Sequence, residues 1–267
     1  MPKVSEKLRS RIWSLQTQIG KGILDGTHNP EKYADILQAF LEKKETVCQG
    51  LTTMEQAVNI LGSNKVISET TALEVWGLEK NVNVPIRYSE ATLRQCAQEN
   101  EQDKADWRLI YCHGFSLREQ FEKHGYKEEK QPCFRLDLWW LRLKEEDDKW
   151  VNYKPLNGYY LLNLYGLYGY RSKTKLIEIA LSEISKSSKE YEPCNEAIFS
   201  EAILTIYMVN NGERIAEDWY HCGGTKNSFD RWVIVGAFKN YGILINHYKL
   251  FYYYPNVKIV LVKKFEI

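Results

Sequence analysis

The side chains best suited to metal chemistry in this sequence are two neighbouring cysteine–histidine pairs. Cys112 and His113 form one pair, and His221 and Cys222 form the other. Together they could supply the two nitrogen and two sulfur ligands of a zinc site. Adjacent residues on a strand point to opposite faces of the sheet, so one ligand of each pair would have to come from a distorted turn. We therefore expect no metal site.

Other patterns that indicate an enzyme do not occur. The sequence has no Gly-rich dinucleotide motif, P-loop, nucleophile elbow, zinc-protease helix motif or paired CxxC. The carboxylate run at 145–148 is flanked by lysines and lacks the ligand alternation of a calcium loop, which favours a solvated turn. The cysteines follow no disulfide-framework spacing, so we expect reduced structural thiols. We expect no catalytic site and no cofactor; an enzyme with an unrecognised Cys/His site is the alternative.

Composition narrows the class of protein. The 267 residues are 44% hydrophobic and 27% charged, which is typical of one large or two smaller globular domains. A formal net charge of +1 provides no general attraction to DNA or to anionic membranes. The first residues lack the apolar stretch of a secretory signal, and no long apolar window predicts a membrane span. We expect a cytoplasmic protein, with surface display left open.

The most unusual segment lies between two strand-like stretches near the C-terminus. Residues 231–238 and 259–262 are rich in the β-branched and aromatic side chains that favour strands. The residues between them follow no secondary-structure period, and no Asp, Glu, Gln or Met occurs from 231 to 265. Tyrosine, asparagine and histidine are concentrated there, as in antibody binding sites, where tyrosine supplies a large rigid contact area. The pattern predicts a contact surface within residues 239–258.

This arrangement resembles the C-terminal variable region of the C-type-lectin-fold proteins that diversity-generating retroelements mutate. In that family, a strand of the form Arg-Val-x-x-Gly-Gly-x-Phe/Trp precedes the variable stretch and a second strand closes it. Residues 231–238 match the first strand and residues 256–261 match the second loosely, while the resemblance is lost before about residue 150. Formylglycine-generating enzymes share the fold and use a cysteine pair, but no second cysteine follows Cys222. The resemblance therefore implies a prokaryotic or phage ligand-binding protein without enzymatic activity.

The resemblance also implies the roles of particular residues. The ligand, a protein or a glycan, should contact side chains that are solvent-exposed and converge on one face. The strands on either side should supply buried support, with one tryptophan packed beneath the surface. The expected contact residues are Asn240, Tyr241, Asn246, His247, Tyr248, Tyr252, Tyr253 and Asn256, and the expected supporting residues are Trp219, Trp232 and Phe238.

Three alternatives use the same segment. Aromatic side chains beside basic ones could bind single-stranded nucleic acid. The same surface could inhibit another macromolecule. An ordinary tyrosine-rich hairpin would bury the rings and leave the hydroxyls wet. The lysines of the nucleic-acid alternative are Lys239, Lys249, Lys258, Lys263 and Lys264.

The elements that must position this segment indicate an α+β fold, with helices first and a mixed sheet afterwards. Apolar stripes predict a helical hairpin at 1–45 that needs a partner, which allows a homo-oligomer. A small helical segment at 50–80 and a lectin-like domain at 86–267 should follow, separated within 79–86. The expected elements are strands at 107–112, 134–143 and 158–165, helices at 89–98, 173–186 and 195–209, and strands 231–238 and 258–265, which should pair in one sheet.

Overall fold

The computed structural model describes most of the chain beyond residue 51. The described residues are 52–79, 84–137, 139–142, 149–168, 176–187, 190–248 and 256–266. The expected helical hairpin at 1–45 and the carboxylate run at 145–148 lie outside them. No helix within the described ranges is long and apolar enough to cross a membrane.

Local capping chemistry sets where the helices begin. At the first helix, Thr53 Oγ1 accepts from the backbone N–H of Gln56, and the Gln56 side chain accepts from the Thr53 N–H at 2.8 Å. Ser116 and Glu119 form the same reciprocal capping box. The helices are α1 Met54–Leu61, α2 Glu69–Val75, α3 Glu90–Glu101, α4 Leu117–His124, α5 Leu176–Ser187 and α6 Glu196–Val209, with 3-10 turns at Ser63–Lys65, Trp139–Arg142 and Lys149–Val151.

Eight strands of the described residues form one mixed sheet. Its order is β1-β2-β3-β8-β5-β6-β7, with β4 also paired to β8. The β1–β2 and β5–β8 pairs are parallel and the other pairs are antiparallel. Together with the helices, this sheet confirms the α+β class. The strands are β1 Val66–Ile67, β2 Trp107–Cys112, β3 Gly158–Tyr168, β4 Tyr191–Pro193, β5 Tyr220–His221, β6 Trp232–Lys239, β7 Gly242–Tyr248 and β8 Val257–Lys263.

The two strands expected to enclose the contact segment are β6 and β8, and both lie in this sheet. They do not pair with each other, because the two-residue strand β5 lies between them. Tyr220 of β5 is opposite Gly236 on one side and Val257 on the other. The prediction that both strands lie in one sheet is confirmed, whereas the predicted pairing between them is wrong, since a two-residue strand leaves no periodic pattern in the sequence.

The segment after β6 is a regular strand rather than an irregular stretch. β7 returns antiparallel to β6, with Val235 opposite Ile245. Ile243, Leu244 and Ile245 are all buried, so both faces of the strand are covered. A strand buried on both faces shows no alternation of polar and apolar residues. This burial explains why the sequence there has no period.

Where a strand was expected at 134–143, the structure has a single β-bridge and a 3-10 turn. Phe134 forms a single parallel bridge to Ile243, and Trp139–Arg142 is a 3-10 turn. The Trp140 ring is buried 6.0 Å from the Phe134 ring. The aromatic residues that suggested a strand therefore serve to fill the core at one edge of the sheet.

Residues 52–79 share one hydrophobic core with the remainder of the described chain. α1 packs against α3, and α2 packs against α6. α6 is buried along most of its length and also contacts β2 and β6, so it lies at the centre of the core. Residues 51–267 accordingly form one compact unit, and the chain between 79 and 86 does not separate two cores.

Candidate functional site

Strand directions bring three of the expected contact residues to one end of the sheet. β6 turns into β7 through Asn240 and Tyr241, because Lys239 is opposite Gly242. β5 runs antiparallel to β6 and parallel to β8, so β8 begins at the same end, next to Asn256. We call this end of the sheet, where β6 ends and β7 and β8 begin, the hairpin end. Asn240 and Asn256 are exposed there, and Tyr241 is half-buried.

The hairpin end carries a surface depression beside Tyr241. The Arg135 guanidinium lies 4.9 Å from the centre of the Tyr241 ring, a cation–π distance. The depression has a volume of about 480 Å³ and is also lined by Leu136, which is 64% exposed, and by two carboxylates. Its lining residues are Glu128, Arg135, Leu136, Asp137 and Tyr241. An exposed leucine between an aromatic ring and charged groups is suited to contact with another molecule.

A second aromatic group lies at the same end, where β3 meets the start of β8. The Lys258 ammonium is 4.7 Å from the Trp219 ring and 5.6 Å from the ring of Tyr165, which is 53% exposed. Trp219 is half-buried, and its ring centre also lies 5.7 Å from that of the buried Phe199. The sequence predicted only a supporting role for Trp219, whereas the structure also places it at the surface.

Sequence reasoning missed Arg135 and Tyr165 as members of this surface. Both residues are far from the contact segment in sequence. Arg135 reaches it because its backbone N–H donates to the Ile243 carbonyl, and Tyr165 reaches it through the β3–β8 pairing. Neither residue lies in a motif, so only the strand pairing could have revealed them.

The charges at the hairpin end are mixed. Lys239 forms an ion pair with Asp218 at 2.7 Å, and this hydrogen bond raises the pKa of the lysine. Arg135 shares its depression with two carboxylates. Lys263 is buried elsewhere, against Tyr191 and paired with Glu190 at 3.1 Å. Lys249 lies outside the described residues. Among the described lysines, Lys263 therefore does not share a basic groove with Lys239.

Asn246 and His247 lie at the opposite end of β7 from Tyr241, about 20 Å away at ~3.4 Å per residue. The His247 ring is half-buried, with its centre 4.3 Å from that of Trp139, and its Nε2 accepts from the Arg231 guanidinium. These two residues therefore do not join Asn240 and Tyr241 in one patch. The Tyr248 side chain and residues Tyr252 and Tyr253 lie outside the described part of the structure.

The expected supporting residues of β6 are in the core. Phe238 is fully buried, and its ring lies 5.2 Å from that of Tyr207 on α6. Trp232 is also buried, and the Lys226 ammonium lies 4.7 Å from its ring. β6 is thus anchored at both of its ends.

The two cysteine–histidine pairs do not form a zinc site. His221 Nε2 donates to the Cys194 carbonyl at 2.7 Å, and its Nδ1 accepts from the Val260 N–H at 3.1 Å, so both ring nitrogens are occupied. Burial lowers the pKa of His221 to about 4 and raises the pKa values of Cys112 and Cys222. Across the described ranges, no three His, Cys, Asp or Glu side chains are grouped as metal ligands.

Comparison with known proteins gives no relative from which a function could be transferred. No protein-family model matches this chain, no curated protein matches it, and no solved structure matches it.

Proposed function

We propose that this protein binds a protein or glycan ligand through the hairpin-end surface. This surface comprises Arg135, Leu136, Tyr165, Trp219, Asn240, Tyr241, Asn256 and Lys258. The observation that carries the proposal is the pairing of each of its two aromatic groups with a cation, on either side of the turn between β6 and β7. Tyrosine, tryptophan and arginine are the residues that most often supply the binding energy of interfaces.

The position of these residues supports a contact role. Phe238 and the three buried residues at the centre of β7 hold the hairpin in the core. Asn240, Tyr241 and Asn256 lie beyond that core at the ends of strands. Exposed patches that combine aromatic and aliphatic side chains generally mark interaction sites. In this proposal, the buried residues of β6 and β7 form a fixed frame, and the exposed residues at the strand ends form a surface that can vary.

We further propose that the hairpin end is a target of retroelement diversification. The burial of Ile243, Leu244 and Ile245 limits such variation, because large changes in a core strand are costly. Variation should therefore concentrate at Asn240, Tyr241 and Asn256. The test is genomic: beside a reverse transcriptase gene, a near-identical copy of the DNA encoding the last forty or so residues should differ at adenines. Its absence from the source genome would contradict this part of the proposal.

Ligand binding is tested by screening the purified protein on a glycan array and against a displayed peptide library. Tyr241→Ala combined with Arg135→Ala should abolish any hit made by the native protein. Tyr153→Ala is the control, because Tyr153 is also a tyrosine at the surface, 53% exposed, and lies outside the hairpin end. An equal loss of ligand binding in Tyr153→Ala would show that the hairpin end is not the binding site.

The salt dependence of binding distinguishes the nucleic-acid alternative from the binding of a protein or a glycan. Binding to single-stranded DNA through several phosphate contacts falls steeply with salt concentration. The ion pair between Lys239 and Asp218 and the carboxylates beside Arg135 predict weak binding to a single-stranded oligonucleotide. Tight oligonucleotide binding with a steep salt slope would replace the present proposal with that alternative.

A further inference from the structure

The depression beside Tyr241 is lined by two separate parts of the chain. Tyr241 lies in the turn between β6 and β7, within the C-terminal segment that is proposed to vary. The other four lining residues come from the loop that follows α4, which lies outside that segment. We call these four residues, Glu128, Arg135, Leu136 and Asp137, the constant wall of the depression.

Hydrogen bonds fix the constant wall to the turn between β6 and β7. The Gln131 side chain donates to the Asn240 carbonyl at 2.5 Å and to the Glu128 carbonyl at 3.2 Å. The backbone N–H of Arg135 donates to the Ile243 carbonyl at 2.8 Å. The two sides of the depression are therefore held together before a ligand arrives, which lowers the entropic cost of binding.

The aromatic ring in this depression is already occupied by a cation. The Arg135 guanidinium lies over the Tyr241 ring at 4.9 Å, and the Tyr241 side chain is half-buried. The negative face of an aromatic ring attracts cations, and a sugar would need an open face of the same kind for its C–H groups. A ring with one face covered leaves little area for stacking a sugar. This arrangement favours a protein over a glycan as the ligand of the depression.

The groups left open to a ligand are one aliphatic side chain and two carboxylates. Leu136 is 64% exposed, and Glu128 and Asp137 are exposed as well. Among the described residues, neither carboxylate forms an ion pair, even though Arg135 lines the same depression. With one guanidinium and two carboxylates, the lining has a net negative charge.

We propose, resting on the hairpin-end function above, that the constant wall selects a protein ligand through one lysine or arginine side chain. Such a side chain lays its methylene stem along apolar surface and keeps its charged head in polar surroundings. In the depression, the stem contacts Leu136 and the head pairs with the carboxylates of Glu128 and Asp137. An acidic side chain would be repelled by the net negative lining, and an uncharged sugar would gain no ion pair.

The test starts from peptides that the full chain selects from a displayed random library, which should share a lysine or arginine. Two synthetic copies of one selected peptide, with that residue kept or replaced by norleucine, are titrated against the native protein by fluorescence anisotropy. Norleucine keeps an aliphatic stem but removes the charge, and should weaken binding by about three- to tenfold, as expected for exposed ion pairs. Selected peptides without a basic residue, or equal affinity for the two copies, would overturn the proposal.

Variants of the constant wall locate the recognised charge. Glu128→Gln combined with Asp137→Asn removes both negative charges at similar shape, so the native peptide should bind about three- to tenfold more weakly. The norleucine copy should bind this double variant as it binds the native protein. Glu129→Gln is the matched control, because Glu129 is exposed in the same loop but does not line the depression. If the two copies still differ in affinity for the double variant, the charge is recognised elsewhere and the proposal fails.

Glycan binding separates this recognition from the hairpin-end function itself. A library that yields no peptide would overturn the recognition of a basic side chain. A glycan that binds the native protein but not Tyr241→Ala combined with Arg135→Ala would then keep the hairpin end as the binding site. Retention of a selected peptide by that double variant would instead overturn the hairpin-end function.

Discussion

At the scale of single residues, neighbours in sequence have opposite roles at the turn between β6 and β7. Phe238 is fully buried against Tyr207, while Asn240 and Tyr241 lie at the surface two and three positions later. The energetic cost of substitution follows burial, because a truncated core ring loses its contacts and leaves a cavity. Truncation of a surface side chain removes few contacts and leaves no cavity.

The first prediction compares these positions. Phe238→Ala should lower the free energy of unfolding by about 3–5 kcal/mol, as truncation of a core aromatic ring does. Asn240→Ser and Tyr241→Ser should each change it by less than about 1 kcal/mol, even though Tyr241 loses its contact with Arg135. Urea denaturation of the three variants measures the difference. A Tyr241 variant as unstable as the Phe238 variant would place Tyr241 in the core.

The second prediction concerns the buried ring of His221. Its pKa is about 4 in the folded protein because of burial, and near 6.5 in the unfolded chain. The unfolded chain therefore takes up the proton first, and stability present above pH 6.5 is lost as the pH falls toward 4. His221 alone should lower the free energy of unfolding by about 2 kcal/mol between pH 7 and pH 5. Urea denaturation at pH 7 and pH 5 tests this expectation, and equal stability at the two pH values would contradict it.

At the scale of elements, β7 has backbone hydrogen bonds along both of its edges. One edge pairs with β6, and on the other edge Ile243 donates to the Cys133 carbonyl and accepts from the Arg135 N–H. Gly242 begins the strand with φ +97°, and a Cβ at this position would lie 2.5 Å from the Cys133 carbonyl oxygen. Both the backbone angle and the close approach require glycine.

The third prediction uses this glycine. Gly242→Ala should destabilise the protein by more than about 1–3 kcal/mol, because backbone strain and a clash with Cys133 add together. Gly77→Ala is the control, since Gly77 has φ +63° but open space around the added Cβ. Thermal unfolding should show the larger drop for Gly242. Equal drops would mean that the approach to Cys133 has no energetic consequence.

At the scale of the whole molecule, residues 51–267 have a core of their own. α6 is surrounded by α2, α4 and strands of the sheet, and β8 joins β3, β4 and β5. The described parts of this unit therefore depend on one another for stability. The helical hairpin expected at 1–45 lies outside the described residues, and we expect its apolar stripes to need a partner.

The fourth prediction removes that segment. A chain that begins at Leu51 should keep the circular dichroism spectrum and cooperative unfolding expected for residues 51–267. Its oligomeric state or solubility should differ from that of the full chain, because a helical hairpin with exposed apolar stripes favours association. Sedimentation velocity measures the oligomeric state. Loss of cooperative unfolding in the shortened chain would show that the first fifty residues belong to the same core.

The sequence by itself determined the features that depend on neighbouring residues. The α+β class and strand β2 follow from local patterns, as predicted, and the starts of α1 and α4 are set by capping side chains close by in the chain. The burial of Trp232 and Phe238 follows from the apolar character of β6. Such features form between residues close in the chain, so their pattern is visible without a fold.

Tertiary structure alone decided which distant residues meet. The insertion of β5 between β6 and β8, the contact of Arg135 with Tyr241, and the burial of both faces of β7 depend on strand pairing across long stretches of chain. The contact of the Trp76 ring with the rings of His113 and His124 likewise joins residues that are far apart in the sequence. The physical reason is that a side chain's environment is set by what packs on it, and strand order determines that packing without leaving a local periodic pattern.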